Sequence, residues 1–523
     1  MEFPPEIILC IGPSLSHHDL TRCIRVNKTW HQVLTSLLYH SIDETASKKP
    51  SIIALKKYMN LIQDAKVIAE GPYLIELAEC RSMLNLRHLR LLIKEGIGFT
   101  QSTSDLLKST PHLSGLSVEG SPRYGKDFPL QSILEGCLPS LRKLELNGVH
   151  VSKLALQLIV NLGSTLERLS VLHCNIDSVD SPELFATTDN FPRLPRISEL
   201  EFKGFKGQLD LGAWLEHCPK TRTLTWALWS LSLSQSPELN LSVEAPRWSC
   251  IRSLSLCGDN TKLSDHQLSL ILDACAPLTK LDIAQSGFSI KSFFSLERHF
   301  ATLEYLDLTY GECVLSWMSQ SIMASCPRLI YLSTYVLLGC DLVQGATAEA
   351  RRKQGPASTF GSRLGDPSLL KEKMDPLIQE KFLARDVTLV RPWVCLGLRT
   401  LKVTIAETEP EWQESIFERI STLTELRVLD ISMDYYYNGS NSLDLCLNSG
   451  LEYLGSLTHL ETFYFNDTRQ FMEMEDVEWM LYAWPNLKNL SREFNLTPKK
   501  NTKLCKLVER HFSEIESEEE EYF

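Results

Sequence analysis

Leu278-Thr279-Lys280-Leu281-Asp282-Ile283 is followed 25 residues later by Leu303-Glu304-Tyr305-Leu306-Asp307-Leu308, and the phrase they share decides the fold. Written L-x-x-L-x-L, with occasional replacements, it begins at residues 86, 113, 141, 166, 197, 221, 251, 278, 303 and 329. It resumes at 398, 426 and 460 and fades at 487. Apart from one step of 69, between 329 and 398, the steps run from 24 to 34 and cluster near 27. One match means little in a chain with 87 Leu; fourteen at a near-constant period define a repeat.

The last three positions of the phrase alternate inward and outward, as in a short strand. Just upstream stands a Cys-Pro lead-in: Cys137-Leu138-Pro139, Cys218-Pro219, Cys275-Ala276-Pro277, Cys326-Pro327. Pro stops the preceding helix, and the small apolar Cys buries at its end. Between strands lie amphipathic stretches of helix length, such as Asp265 to Cys275 with Leu268, Ile271 and Leu272 on one side. Each unit is therefore strand, loop and helix. None buries its apolar face alone, so neighbours must stack.

The pattern resembles the leucine-rich repeat in its long, Cys-containing form, over roughly residues 86–494. The resemblance implies an α/β fold, a curved solenoid with a parallel sheet on its concave side and helices on its convex side. The 69-residue step holds an insertion near 340–390, rich in Gly and Pro in its first half, which reads as a flexible loop. Residues 42–85 read as a helical junction with a partial first repeat, and 495–523 as a C-terminal segment with an acidic tail.

Residues 1–41 differ in kind. Phe3-Pro4-Pro5-Glu6-Ile7-Ile8-Leu9-Cys10-Ile11 opens a helix, with Pro where the missing donor costs nothing and Glu6 at the positive end of the dipole. Gly12-Pro13 breaks it, and Ser16 caps a second helix through Asp19-Leu20 to Cys23. A third begins near Lys28 and carries Trp30, Val33, Leu34, Leu37 and Leu38. Three short helices cannot enclose all this apolar surface, so some is left for another body to cover.

In order and spacing, Pro4, Glu6, Ile7, Leu15, Asp19-Leu20, Cys23, Val26, Lys28 and Trp30 resemble an F-box. Phe3 and Asn27 replace a Leu and a Cys of that pattern, and Gly12-Pro13 shortens its first helix. The resemblance implies docking to a Skp-family adaptor, and through it a cullin, by Pro4, Ile7, Ile8, Leu15, Leu20, Cys23, Val26 and Trp30. An F-box before leucine-rich repeats resembles the F-box/LRR class, especially its fungal members. It implies a substrate-recognition subunit of a Skp–cullin–F-box ubiquitin ligase. The alternatives are a scaffold that directs no degradation, and a repeat protein whose N-terminal helices only cap the stack.

The residue between the last two apolar positions of each phrase points away from the core. Five of the thirteen are acidic, among them Glu145, Glu201, Asp282 and Asp307, and two are basic. Two residues earlier, Tyr305 and Tyr331 occupy equivalent places in successive repeats and should stack, with Tyr335 close by. Exposed aromatics on an acidic sheet are candidate anchors for a target protein, against the plainer reading of a solvated face with incidental tyrosines.

Composition excludes several classes. The chain is 43% hydrophobic and 23% charged, hence globular. Of its net charge of −12, six negatives are Glu514, Glu516 and Glu518–Glu521, so the body carries only −6 and lacks the basic stripe of a nucleic-acid binder. Acids near Met1 stand where a secretion signal needs bases, and no run approaches 18 apolar residues, so no membrane is expected. Fifteen scattered Cys then read as reduced thiols of a protein in the cytoplasm, the nucleus or both. No phosphate-cradling glycine motif occurs. His17-His18 are adjacent and diverge on a helix, and the Cys come once per repeat rather than in Cys-x-x-Cys pairs. No active site, metal or cofactor is expected; the chain reads as a non-catalytic subunit.

Overall fold

Each leucine of the repeat phrase meets the same leucine of the next repeat in a parallel ladder, and that register builds the fold. The structure is a computed structural model. It describes residues 3–47, 49–69, 71–79, 85–94, 101–120, 130–136, 140–162, 165–176, 194–205, 214–215, 217–228, 248–256, 263–309, 314–343, 391–406, 408–432, 442–466 and 472–491, with 506 and 508. The insertion beyond residue 343, the acidic tail and the Cys137 lead-in lie outside these. The chain divides into two units, Met1–Ser242 and Val243–Phe523.

The first unit opens with three helices: α1 (Pro5–Ile11), α2 (His17–Cys23) and α3 (Lys28–Leu38). Strands follow: β1 (Ser41–Asp43), β2 (Asp64–Ile68), β3 (His88–Leu92), β4 (Gly115–Glu119), β5 (Lys143–Asn147), β6 (His150–Val151), β7 (Arg168–Leu172), β8 (Asn175–Ile176), β9 (Glu199–Phe205) and β10 (Thr223–Leu228). The parallel sheet runs β1-β2-β3-β4-β5-β7-β9-β10, while β6 and β8 pair separately. Leu89, Leu116, Leu144, Leu169, Leu200 and Leu224 are aligned strand to strand, and all are buried.

This ladder begins two strands before the first L-x-x-L-x-L phrase. Ile42 pairs with Ala65 and Ala65 with Leu89, so residues 42–85 contain strands as well as helices. The aligned core positions there are Ile and Ala, which a search for leucine passes over.

The second unit holds β11 (Ser253–Ser255), β12 (Lys280–Asp282), β13 (Tyr305–Asp307), β14 (Tyr331–Leu338), β15 (Thr400–Ala406), β16 (Val428–Asp430), β17 (Thr462–Tyr464) and β18 (Asn489–Leu490), parallel and in chain order. Leu332 of β14 pairs with Leu401 of β15, so the 69-residue step leaves the ladder unbroken. Arg419 ties the stems of the insertion together. Its guanidinium donates to the carbonyls of Leu342 (2.7 Å) and Arg391 (2.5 Å) and lies over Trp393.

Among the described residues, helices lie between many successive strands, and carboxylates join one helix to the next. Asp265, first residue of the helix Asp265–Ala274, accepts from the backbone of Ser289, Lys291 and Ser292 (2.8–3.1 Å). It thereby caps the following helix, Ile290–Leu296, where the first amides lack partners. Buried His299 does the same for a loop: Leu278 N–H donates to its Nδ1 and its Nε2–H donates to the Leu272 carbonyl, each at 3.1 Å. Burial holds its pKa down to about 4. Cys218 and Cys275 are buried at helix ends as the lead-in predicts, and burial pushes both thiols up to about 12.

Candidate docking surfaces

The helical domain is set by its caps. Pro5 starts α1, and Gly12 ends it by donating to the Ile8 carbonyl. At Gly12 α3 comes close: a Cβ there would stand 2.3 Å from Leu37 Cδ1 and 3.0 Å from Leu34 Cδ2, so the Leu37 side chain would have to shift. The glycine that shortens the first helix thus lets α3 pack against its end. Ser16 Oγ accepts from Asp19 N–H at 3.2 Å, the predicted cap of α2. The Ser16 hydroxyl donates back to the Asp19 carboxylate at 2.5 Å and lowers its pKa. Asn27 caps α3, its Oδ1 accepting from Trp30 N–H at 2.9 Å.

The buried cluster of these helices is Ile8, Leu20, Leu34 and Leu38, with Leu15, Cys23 and Trp30 half-buried against it. The eight residues expected to dock an adaptor therefore separate. Pro4, Ile7 and Val26 are exposed, Val26 at 66%. Leu15, Cys23 and Trp30 show one side each to solvent. Ile8 and Leu20 are inside, at 1% and 8%, and correct the sequence reading: they hold the helices together rather than face outward.

Three exposed apolar residues were missed: Phe3, Leu9 and Ile11. Phe3 meets Trp30 edge to face, centroids 6.3 Å apart, which continues the apolar surface from α1 to α3. The signal was present, since Ile7, Ile8, Leu9 and Ile11 spread over more than half the circumference of a seven-residue helix and only one side meets α3.

The second candidate surface is the sheet face away from the helices, and the residues predicted there fall on both units. On the first unit, Glu145 lies between Ser117 and Ser170 in register, and Glu201 accepts from Ser170 Oγ at 2.8 Å. Ion pairs cross this face, Lys66–Asp43 (3.0 Å), Arg168–Glu199 (3.1 Å) and Arg90–Glu119, and His88 Nδ1 lies 2.6 Å from Asp64 Oδ1. Exposed pairs of this kind add at most about 1 kcal/mol each.

On the second unit, Asp282 accepts from Ser255 Oγ (2.9 Å), and Asp307 from Thr309 N–H (2.9 Å) and Tyr331 O–H (3.4 Å). Tyr305 and Tyr331 stack as expected, centroids 4.1 Å apart and planes 8° from parallel, with Lys280 Nζ 4.5 Å from the Tyr305 centroid. Burial first, then neighbouring charge, raises both phenols above their ordinary range. Tyr335 lies further along β14, where the register with β15 shifts.

Among the described residues no group of three or more His, Cys, Asp or Glu could hold a metal ion, and no helix is long and apolar enough to cross a membrane. His17 and His18 are both exposed on α2.

Residues 2–45 match the family model described as F-box-like. No curated protein matches the sequence. Among solved structures, an internalin (inlF) from Listeria monocytogenes str. 4b F2365 is similar at 17% identity and a TM-score of 0.36, covering 71% of this chain and 86% of that one. The repeat fold stands on the strand register itself. The chain joins an F-box-like domain to leucine-rich repeats.

Proposed function

We propose that the chain is the substrate-recognition subunit of a Skp–cullin–F-box ubiquitin ligase. The F-box-like helices dock a Skp-family adaptor, and the sheet face of the repeats binds a target protein. The observation that supports this reading is that the apolar residues Phe3, Ile7, Leu9, Ile11 and Val26 are all exposed on a domain that matches the F-box-like model. Apolar side chains gathered on a small domain and left in water gain by being covered, on the order of 25 cal/mol per Å².

The chain's contribution is then tethering. A conjugating enzyme brings the activated ubiquitin, and this subunit supplies proximity and orientation, converting a bimolecular encounter into a local one. No side chain of this chain needs to enter the chemistry.

Co-expression with a Skp-family adaptor and a cullin tests the reading. Co-elution of all three as one complex supports it. A folded chain eluting alone contradicts it, and leaves a repeat protein with a helical cap.

A further inference from the structure

We propose that the open face of Tyr331 is an arginine-recognition site, which stacks a guanidinium from an extended segment of a partner protein and pairs it with Asp307. The inference rests on the sheet face being the target-binding surface, and it names the chemistry of the target.

The first residues of four successive strands lie in register: Lys280, Tyr305, Tyr331 and Thr400. An ammonium caps the first ring and the second ring lies flat on it. Among the described residues, the next place in the row holds only the short side chain of Thr400. Strands are about 4.8 Å apart, so the space over Thr400 has the thickness of one more planar group.

Electrostatics select which planar group. Asp307 Oδ1 is engaged by Thr309, whereas among the described residues Oδ2 holds only the long 3.4 Å bond from Tyr331 and keeps acceptor capacity beside the ring. The negative charge of Asp307 also contributes to raising the Tyr331 phenol, and Asp282 lies in register one strand back. A cation is favoured here over a neutral ring. Arginine fits better than lysine, because its guanidinium both stacks flat and presents a fork of donors to a carboxylate. Lys402 of β15 and Arg399, just before the strand, are the nearest cations in sequence, and among the described residues neither stacks on Tyr331.

The test is selection of random phage-displayed nonapeptides on the full-length chain, with the best peptide resynthesised for titration. The expected result is a consensus with one fixed Arg, whose replacement by Lys weakens binding about tenfold. Tyr331→Ala should weaken it to a similar degree, and Tyr331→Phe, which keeps the ring, should retain it. Thr400→Arg, which supplies the chain's own guanidinium and leaves both tyrosines in place, should block the peptide. A consensus built on acidic or aromatic residues, no consensus, or Arg peptides that bind Tyr331→Ala as well as wild type would each overturn the proposal. Adaptor co-elution, measured on the same preparations, separates the two readings. Arg peptides bound by a chain that ignores the adaptor would sink the ligase function and keep this site. Adaptor binding without Arg preference would do the reverse.

Discussion

In the F-box-like helices, Ile8, Leu20, Leu34 and Leu38 are buried while Phe3, Ile7, Leu9, Ile11 and Val26 remain in water. In the repeats, the residue that each strand contributes to the aligned ladder, from Ile42 to Leu490, is buried. The difference follows from stacking. A repeat covers its neighbour's apolar edge, so the array satisfies itself layer by layer. Three helices of seven, seven and eleven residues have no further layer, and their surplus apolar surface is available to a partner. Folding in the repeats and binding in the helices thus draw on the same hydrophobic effect.

Substitutions that separate folding from binding sharpen this comparison. The largest effect is expected at Leu306, fully buried between Leu281 and Leu332: Leu306→Ala should cost about 3–5 kcal/mol, read as a lower denaturation midpoint. Ile8→Asp should likewise unfold the helical domain, because it places a charge in the buried cluster.

His299 comes next. Its folded pKa of about 4 lies below the ordinary 6.5, so the folded state favours the neutral ring and the unfolded chain binds the proton more tightly. Its contribution is full above pH 6.5, declines as pH falls through that value, and is lost by pH 4. The loss is on the order of 3 kcal/mol. Denaturant midpoints across this window should fall in the wild type and flatten in His299→Gln. An unchanged slope in the variant would remove His299 from the account.

Asp265→Ala removes the acceptor shared by three amides of the next repeat and should cost about 2 kcal/mol by the same measurement. The smallest stability effect belongs to Val26→Asp, within about 0.5 kcal/mol, since its side chain already faces water. If that variant unfolds the domain, Val26 is core and the contrast between the two regions fails.

The repeat architecture was largely legible because stacking forces one residue type to recur at one position. Leu332 finds Leu401 across the insertion for that reason. The ladder's start was not legible, since Ile42 and Ala65 meet the same packing demand without leucine. The outward row of the sheet was read correctly for Asp282 and Asp307, yet Ser170, Ser255 and Ser333 in the same row are buried. Two of these short side chains lie against a carboxylate of the next strand, Ser170 with Glu201 and Ser255 with Asp282. The exposed apolar set of the helices was only half legible. In α1 apolar residues stand at Ile7, Ile8, Leu9 and Ile11, and no periodicity distinguishes the side that meets α3. Ile8 and Leu20 were placed outward by the F-box resemblance, and packing turns them in.

The central claim is that the uncovered apolar surface of the F-box-like helices is a docking face. Titration of a purified Skp-family adaptor into the wild-type chain and into an Ile7→Asp, Val26→Asp double variant tests it most directly, with thermal unfolding of both proteins alongside. The account predicts saturable binding by the wild type, loss of binding in the variant, and unfolding transitions that coincide. Equal binding by both proteins, or no binding by a wild type that melts as a folded chain, would contradict it.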